Sequence, residues 1–224
     1  MNILYNISCI TLKLNLKIWT KYKVTNHDLI PKKGNLLIIS NHQSNIDAGL
    51  LGASINRRLK FPAKIELFKN PLMNFFLRSY GAFPIKRGVA DINSFKRMKE
   101  TLSTLNGSIS LFPEGTRSNG ELLNGKPGAA KLAYSLDPVI LPVGITGTAH
   151  LKGLFRVFNP SGNITVTIGR PFKINKTSEL TSKKGFFKDL TDEMMLRISE
   201  LLPQEKRGVY KDSSTKNYLL TEDC

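Results

Sequence analysis

The sequence has 224 residues, of which 41% are hydrophobic and 22% are charged, and its formal net charge is +16. This length and composition predict one globular domain and exclude a disordered or repetitive chain. The positive charge predicts an anionic partner, which would be nucleic acid, anionic lipid or a phosphorylated substrate. Because no zinc-finger spacing, ribonucleoprotein motif or basic heptad accompanies it, we expect no nucleic acid and favour lipid.

The two cysteines, Cys9 and Cys224, stand at opposite ends of the chain, and the three histidines are scattered. These residues cannot build a disulfide framework or a Cys/His metal centre, so we expect no metal. A reducing, cytoplasmic setting is the default for such a chain.

Residues 1–30 are predicted to form an N-terminal amphipathic segment that associates with a membrane. Asparagines and lysines interrupt its apolar residues too often for a bilayer span, and no small-residue cleavage site indicates a secretory signal. Packing on the domain's own core would explain the same pattern, but the basic flank favours an anionic membrane surface. The apolar residues at helical steps are Ile3, Ile7, Ile10, Leu14 and Ile18.

The apolar run Leu36–Ile39 predicts a buried strand, which is followed by a polar turn and a helix. His42 and Asp47 are five residues apart, a step of roughly 140° on one helix. They can pair only if His42 lies in the turn and Asp47 in the first helical turn. A carboxylate on one imidazole nitrogen would leave the other as a base. A helix entry, with Asp47 merely favouring the helix dipole, is the alternative that these residues leave open.

The remainder of the chain predicts alternating strands and helices. The apolar cluster that follows Pro71 fits either core packing or contact with acyl chains or membrane. Pro142 implies that its strand is an edge strand, bulges or ends there. Predicted strands lie near 61–65, 81–85, 108–112, 139–145 and 164–168, and predicted helices near 72–78, 91–106, 129–135 and 187–201.

This order of elements predicts an α/β fold with a largely parallel mixed sheet flanked by helices. We expect residues 31–203 to form the domain and residues 204–224 to be a flexible polar tail. In such sheets, sites lie outside the carboxyl ends of the strands. The polar turns that follow three of the predicted strands are therefore expected to converge at one edge.

Four blocks of this sequence resemble, in order, the motif blocks of the glycerolipid acyltransferases, and most closely the bacterial 1-acyl-sn-glycerol-3-phosphate acyltransferases. The resemblance extends from about Leu36 to Phe172. The blocks are Asn41-His42 with Asp47, then Gly81–Gly88, Phe112–Ser118 and Ile140–Val143.

The resemblance implies transfer of a fatty acyl group from acyl-CoA or acyl carrier protein to the sn-2 hydroxyl of 1-acylglycerol 3-phosphate, forming phosphatidic acid in phospholipid biosynthesis. His42 would be the general base and Asp47 would orient it, with no acyl-enzyme and no cofactor besides the donor. Lys126, close to the third block, is a further candidate. The residues implied for phosphate binding are Lys64, Arg87, Glu114, Gly115, Thr116 and Arg117.

The expected partners are the lysophospholipid acceptor, the thioester donor and an anionic membrane surface, and the expected location is the cytoplasmic face of the membrane. The motifs leave the acceptor open, since glycerol 3-phosphate, a lyso-aminolipid or another lysophospholipid would fit them. A non-catalytic basic membrane-binding module is the remaining alternative, and the intact His42 and Asp47 speak against it.

Overall fold

The computed structural model describes residues 3–86, 91–177, 181, 184–212 and 218–224. The helices of this part of the chain are α1 (Ile3–Trp19), α2 (Asp47–Ser54), α3 (Pro71–Ser79), α4 (Ile92–Leu102), α5 (Gly128–Leu136) and α6 (Phe186–Ser199). Its strands are β1 (Lys23–Thr25), β2 (Leu36–Ser40), β3 (Phe61–Lys64), β4 (Ala82–Ile85), β5 (Ser108–Leu111), β6 (Val139–Thr146), β7 (Thr165–Ile168), β8 (Phe172–Ile174) and β9 (Thr221–Asp223).

Three parallel strands form the centre of the main sheet, in the order β5, β2, β6. On its other side β6 pairs antiparallel with both β7 and β8. Strand β1 adds to β7 in parallel, and β9 adds to β8 in antiparallel orientation. The predicted α/β fold with a mixed sheet is confirmed, although the parallel arrangement is confined to the centre and to β1. Strands β3 and β4 form a small parallel sheet of their own.

Helices cover both faces of the main sheet, as predicted. Alternate residues of a strand point to opposite faces, so in β2 Leu36 and Ile38 pack with the helices α1, α2 and α3. Leu37 and Ile39 pack on the other face, with α4, α5 and α6. All four side chains are fully buried, which explains why β2 reads as a continuous apolar run.

Pro142 does not mark an edge strand, because β6 lies in the middle of the sheet. Its carbonyl accepts the N–H of Gly169. Because the N–H and C=O of a strand residue point to the same side, an N–H at this position would also face β7 and β8. On that side β8 pairs with Ile140 and β7 begins to pair at Val143. The proline thus occupies the break between two partner strands, where a donor is dispensable.

The N-terminal segment is not separate from the domain, so the predicted boundary at residue 30 is wrong. Leu12 and Leu16 of α1 are fully buried in the core with α2, and β1 belongs to the main sheet. The helix itself is present, and the predicted apolar stripe, which includes Ile7 and Leu14, is exposed. Among the described residues, no helix is both long and apolar enough to cross a bilayer.

The end of the chain is not a free tail, which corrects the prediction for residues 204–224 in the part that the structure describes. Strand β9 extends the sheet through β8. Arg197 of α6 donates to Asp223 at 2.5 Å and to Thr221 Oγ1 at 2.9 Å. The prediction of a loosely held tail rested on the balanced charges of this segment. The guanidinium of Arg197 instead gives Asp223 a fixed partner.

Candidate active site

The turn between β2 and α2 brings His42 and Asp47 together. The Nδ1–H of His42 donates to Asp47 Oδ2 at 2.9 Å, with Asp47 in the first turn of α2 as the spacing required. Asp47 is fully buried and the His42 residue is 9% exposed. Because a carboxylate only accepts, it holds the proton on Nδ1 and leaves Nε2 as the basic nitrogen.

One oxygen of Asp47 organises the whole turn. Oδ2 also accepts the main-chain N–H groups of Gln43 and Ser44, both at 2.7 Å. The other oxygen, Oδ1, is buried and has no hydrogen-bond partner among the described residues. The position of the imidazole is therefore fixed by three donors that converge on a single atom.

A second buried carboxylate, that of Glu114, holds the main chain of His42. Glu114 Oε1 accepts the main-chain N–H of His42 at 2.6 Å, and Oε2 accepts the N–H of Leu123 at 2.9 Å. Glu114 is 1% exposed and is not among the residues that line the neighbouring groove. Both oxygens of Glu114 are engaged by main-chain donors, so Glu114 positions the histidine turn, and its part in phosphate binding stays a prediction.

Burial raises the pKa of Glu114 to about 7. The two N–H donors from Leu123 and His42 work against burial, and the nearby charge of Asp47 adds to it. The carboxyl thus titrates in the neutral range, although its geometry is that of an acceptor for two donors.

Further contacts hold the ring and its turn in place. The imidazole of His42 stacks on Phe112, with ring centroids 4.0 Å apart and an angle of 13° between the planes. The carbonyl of His42 accepts the N–H of Ser118 at 2.8 Å. Asn41 bonds both the N–H and the carbonyl of Ile145, at 2.7 and 2.8 Å. The ends of β2, β5 and β6 are thereby tied into one rigid edge.

His42 lines a groove of about 520 Å³ at this edge. Its walls are mainly apolar, and three lysines are among the residues that line it: Lys86, Lys126 and Lys131. The Lys131 ammonium lies over the ring of Phe187, 5.8 Å from its centroid. A groove with an apolar floor and a basic rim can hold a hydrocarbon chain whose headgroup is anionic. The large apolar side chains besides proline are Ile85, Ile92, Phe95, Met98, Leu111 and Phe112.

Asp91 is the acidic residue of the groove wall, and its carboxylate is engaged. It accepts the N–H of Lys86 at 2.9 Å and that of Ser94 at 3.0 Å. The Lys86 N–H is the largest cause that lowers the pKa of Asp91 to about 2, followed by the Ser94 hydroxyl, which donates at 2.7 Å, and then by the Ser94 N–H. The carboxylate joins the end of β4 to the start of α4 and so fixes one wall of the groove.

The other residues expected to bind phosphate lie around the mouth of the groove, with different degrees of proximity to His42. Gly115 lines the groove and has a φ of +67°. A side chain there would approach Lys126 Cδ to 2.9 Å, so glycine lets this lysine reach the groove. Thr116 and Arg117 are exposed. Arg117 Nη1 donates to Asn45 Oδ1 at 2.9 Å, which places it beside the His42 turn.

Lys64 is exposed at the end of β3. Because alternate residues of a strand share a face, Lys64 lies on the same side of β3 as Pro62, which lines the groove. It has no place in the groove lining itself. Arg87 lies outside the described residues.

The sequence did not single out Lys131, which borders the groove from α5. It stands in an ordinary helix and carries no motif, so nothing local distinguishes it from a solvated lysine. Lys126 was a candidate, and its main-chain N–H donates to Pro113 at 2.8 Å, which anchors it next to Glu114. Within the described residues, no group of three or more His, Cys, Asp or Glu side chains is placed to hold a metal ion.

The sequence is similar to those of known acyltransferases. Residues 21–146 match the family described as acyltransferase. A 1-acyl-sn-glycerol-3-phosphate acyltransferase of Bacillus subtilis is 28% identical over 199 residues, which is 88% of this chain and 96% of that protein. A chloroplastic 1-acyl-sn-glycerol-3-phosphate acyltransferase of Arabidopsis thaliana is 29% identical over 75% of this chain, which spans only 49% of the plant protein.

A solved structure shares the fold. The crystal structure of a 1-acyl-sn-glycerophosphate acyltransferase from Thermotoga maritima superposes with a TM-score of 0.66 at 25% identity. The match covers 89% of this chain and 78% of the Thermotoga chain.

Proposed function

Because this chain belongs to the acyltransferase family, we propose that it transfers a fatty acyl group from a thioester to the sn-2 hydroxyl of 1-acylglycerol 3-phosphate, forming phosphatidic acid. The observation that carries the proposal is the His42–Asp47 pair at one end of an apolar groove with a basic rim. The names of the Bacillus and Thermotoga relatives support the same acceptor.

In the proposed reaction His42 Nε2 takes the proton of the acceptor hydroxyl as the oxygen attacks the thioester carbonyl. The C–S bond then breaks, and the proton passes to the departing thiolate, so that the ester and a free thiol are formed. Asp47 stabilises the imidazolium that forms between the two proton transfers. A positioned base of this kind contributes about 10²- to 10⁴-fold in rate.

We place an acyl chain along the apolar floor of the groove and the acceptor phosphate at its basic mouth. Arg117 is the leading phosphate ligand, since its guanidinium lies beside Asn45 in the catalytic turn and can bind phosphate oxygens bidentately. Thr116, the main chain at Gly115, Lys64 and Arg87 are proposed to assist it. The groove lysines would neutralise the remaining charge of the headgroup or of the donor.

The donor is acyl-CoA or acyl carrier protein, both of which carry negative charge that suits the basic rim. No further cofactor enters the proposed reaction. We propose that the protein is peripheral, at the cytoplasmic face of the membrane, where its lipid acceptor resides. The exposed apolar stripe of α1 supports contact with a membrane surface.

The test is a transfer assay with the purified protein, both donors and a panel of acceptors, with the product identified by mass spectrometry. We expect phosphatidic acid from 1-acylglycerol 3-phosphate, and a loss of at least about 100-fold in kcat for His42→Ala. His27→Ala, which alters an exposed histidine, is the matched control. Retention of activity in His42→Ala would refute the general-base role, and preference for a phosphate-free acceptor would refute the proposed substrate.

A further inference from the structure

Helix α1 has two apolar faces, of which only one is used by the fold. Leu12 and Leu16 are fully buried on the inner face. Ile7, Leu14 and Ile18 are between 53% and 69% exposed. At about 100° per residue these three lie roughly opposite the buried pair. The outer stripe is therefore not a by-product of core packing.

Helix α3 lies beside α1 and extends this exposed surface. Ser8 Oγ and Ser79 Oγ are joined by a hydrogen bond of 3.2 Å, and the Tyr80 hydroxyl donates to the carbonyl of Ser8 at 3.1 Å. On α3, Leu72 and Phe75 are 69% and 60% exposed. Both residues lie on the same side of the helix as Ser79, which touches α1.

A third segment, the turn Leu154–Val157 with the following Phe158, completes the surface. Asn15 of α1 donates to the carbonyl of Val157 at 3.1 Å. The half-exposed ring of Phe158 packs on Phe76 of α3, with centroids 5.8 Å apart. Three segments that are distant in sequence thus present one apolar surface, which we call the outer apolar face: Ile7, Leu14, Ile18, Leu72, Phe75 and Phe158.

Basic side chains border this face on several sides. Lys17 and Lys21 lie at one end of α1, and Lys69 and Arg78 flank α3, all of them exposed. A two-fold contact between copies of this chain would bring such cations together, in a protein whose net charge is already +16. Apolar side chains surrounded by cations instead complement the interface of an anionic bilayer.

The outer apolar face is also linked directly to the catalytic turn. Ser44 Oγ donates to the carbonyl of Leu151, and Asn45 Nδ2 donates to that of Lys152. The same loop continues into the turn Leu154–Val157 and Phe158. A surface seated on the bilayer through Phe158 would therefore hold the His42 turn at a fixed distance from the membrane.

We propose that the outer apolar face, and not α1 alone, is the surface by which the protein docks on an anionic bilayer. The inference rests on the proposed function only for the lipid nature of the acceptor. It assigns α3 and Phe158 a role in membrane contact that the fold itself does not need.

The experiment measures flotation with phosphatidylcholine vesicles that contain about one third phosphatidylglycerol. In the variant Leu72→Ser/Phe75→Ser, α1 is untouched, and we expect the partition coefficient to fall about tenfold, because two large apolar side chains no longer leave water. Phe158→Ser should have a smaller effect of the same sign. Leu105→Ser/Leu219→Ser removes two other exposed apolar side chains, which lie outside the groove lining, and should leave binding unchanged.

Trp19 is the single tryptophan of the chain and is exposed at the end of α1, so its emission reports insertion of that helix. The expected blue shift on adding vesicles should shrink in the α3 variant. Unchanged flotation and an unchanged Trp19 shift would overturn the proposal in favour of α1 alone. Dimerisation in sedimentation equilibrium that the α3 variant abolishes would overturn it in favour of a second copy.

Activity separates this inference from the proposed function. On a short-chain acceptor below its critical micelle concentration, the α3 variant should match the wild type. On acceptor embedded in vesicles, it should lose activity in proportion to binding. Absence of turnover on every acceptor by the wild type would refute the proposed function, while the flotation result would still decide the docking surface.

Discussion

Glu114 holds the main-chain N–H of His42, 72 residues earlier in the chain, at 2.6 Å. Its other oxygen holds the N–H of Leu123. The carboxylate thereby joins the turn after β2 to the loop after β5, and it is 1% exposed. His42, the proposed general base, is positioned through its main chain by Glu114 and through its ring by Asp47.

Replacing Glu114 by Gln should lower kcat by about tenfold or more and leave KM for the acceptor nearly unchanged. An amide offers one oxygen, so one of the two buried N–H groups loses its acceptor, a cost of about 1–3 kcal/mol. The loss should be equal on phosphorylated and phosphate-free acceptors. Glu121→Gln, at an exposed position of the same loop, is the control. A rise in KM confined to the phosphorylated acceptor would restore Glu114 as a phosphate ligand.

The raised pKa of Glu114 predicts a pH dependence of stability with a definite sign. The pKa of Glu114 is about 7 in the folded state, against an ordinary glutamate pKa of 4.5, so between these two pH values the folded state binds more protons than the unfolded state. The contribution is fully present below pH 4.5 and is lost as pH rises through 7, with a total on the order of 3 kcal/mol. Urea unfolding of wild type and Glu114→Gln at pH 5 and pH 8 measures it. The wild type should gain stability relative to the variant at the lower pH, and a relative loss there would reverse the assigned direction.

Asp47→Asn and Asp47→Ala should separate charge from geometry. Asparagine can place its oxygen where Oδ2 accepts three donors and its NH₂ where Oδ1 has no partner among the described residues. The fold should therefore survive while kcat falls about 100-fold or more, because the imidazolium loses its counter-charge. Asp47→Ala should in addition lower the unfolding free energy by several kcal/mol. Full activity in Asp47→Asn would show that the charge is dispensable.

Met98 should influence which acyl chains the enzyme prefers. It lines the groove from α4 and is 8% exposed. The larger Met98→Trp side chain would shorten the apolar floor, so we expect the preferred chain to become shorter by a few carbons, with kcat for short chains retained. Competition among donors of different chain length measures this. The conservative Met98→Leu is the control, and an unchanged preference in Met98→Trp would place the acyl chain elsewhere.

Arg197 should be important for stability although it lies far from the groove. Its guanidinium lies between the rings of Phe172 and Tyr218, 4.4 and 4.0 Å from their centroids, and pairs with Asp223 at 2.5 Å. Arg197→Ala removes the charged hydrogen bonds to Thr221 and Asp223 and the contacts with both rings, so it should lower the unfolding free energy by about 2–3 kcal/mol. Arg170→Ala, at an exposed position, should change it by less than about 0.5 kcal/mol. If the two variants are equally stable in urea unfolding, the end of the chain does not contribute to stability, as expected of the flexible tail that the sequence predicted.

The sequence predicted those features that depend on residues close together in the chain. The strand Leu36–Ile39, the turn after it and the pairing of His42 with Asp47 all lie within twelve residues, and local spacing restricts how they can fold. The mixed α/β architecture followed in the same way from the order of apolar runs. The motif at Glu114 was visible too, but its hydrogen bond to the main chain of His42 was not predicted.

The sequence did not predict the features that are set by contacts between distant segments. Whether Glu114 faces a substrate or the N–H of His42 is decided only when β2 and β5 pair. Lys131 likewise joins the groove lining only because α5 packs beside the groove. Strand β9 depends on β8, its partner some fifty residues earlier in the chain. The chain by itself determined where a base and its carboxylate meet, because five residues of backbone limit their separation. Tertiary structure alone decided what surrounds them, because a side chain's function depends on its neighbours, and these come together only when the sheet has formed.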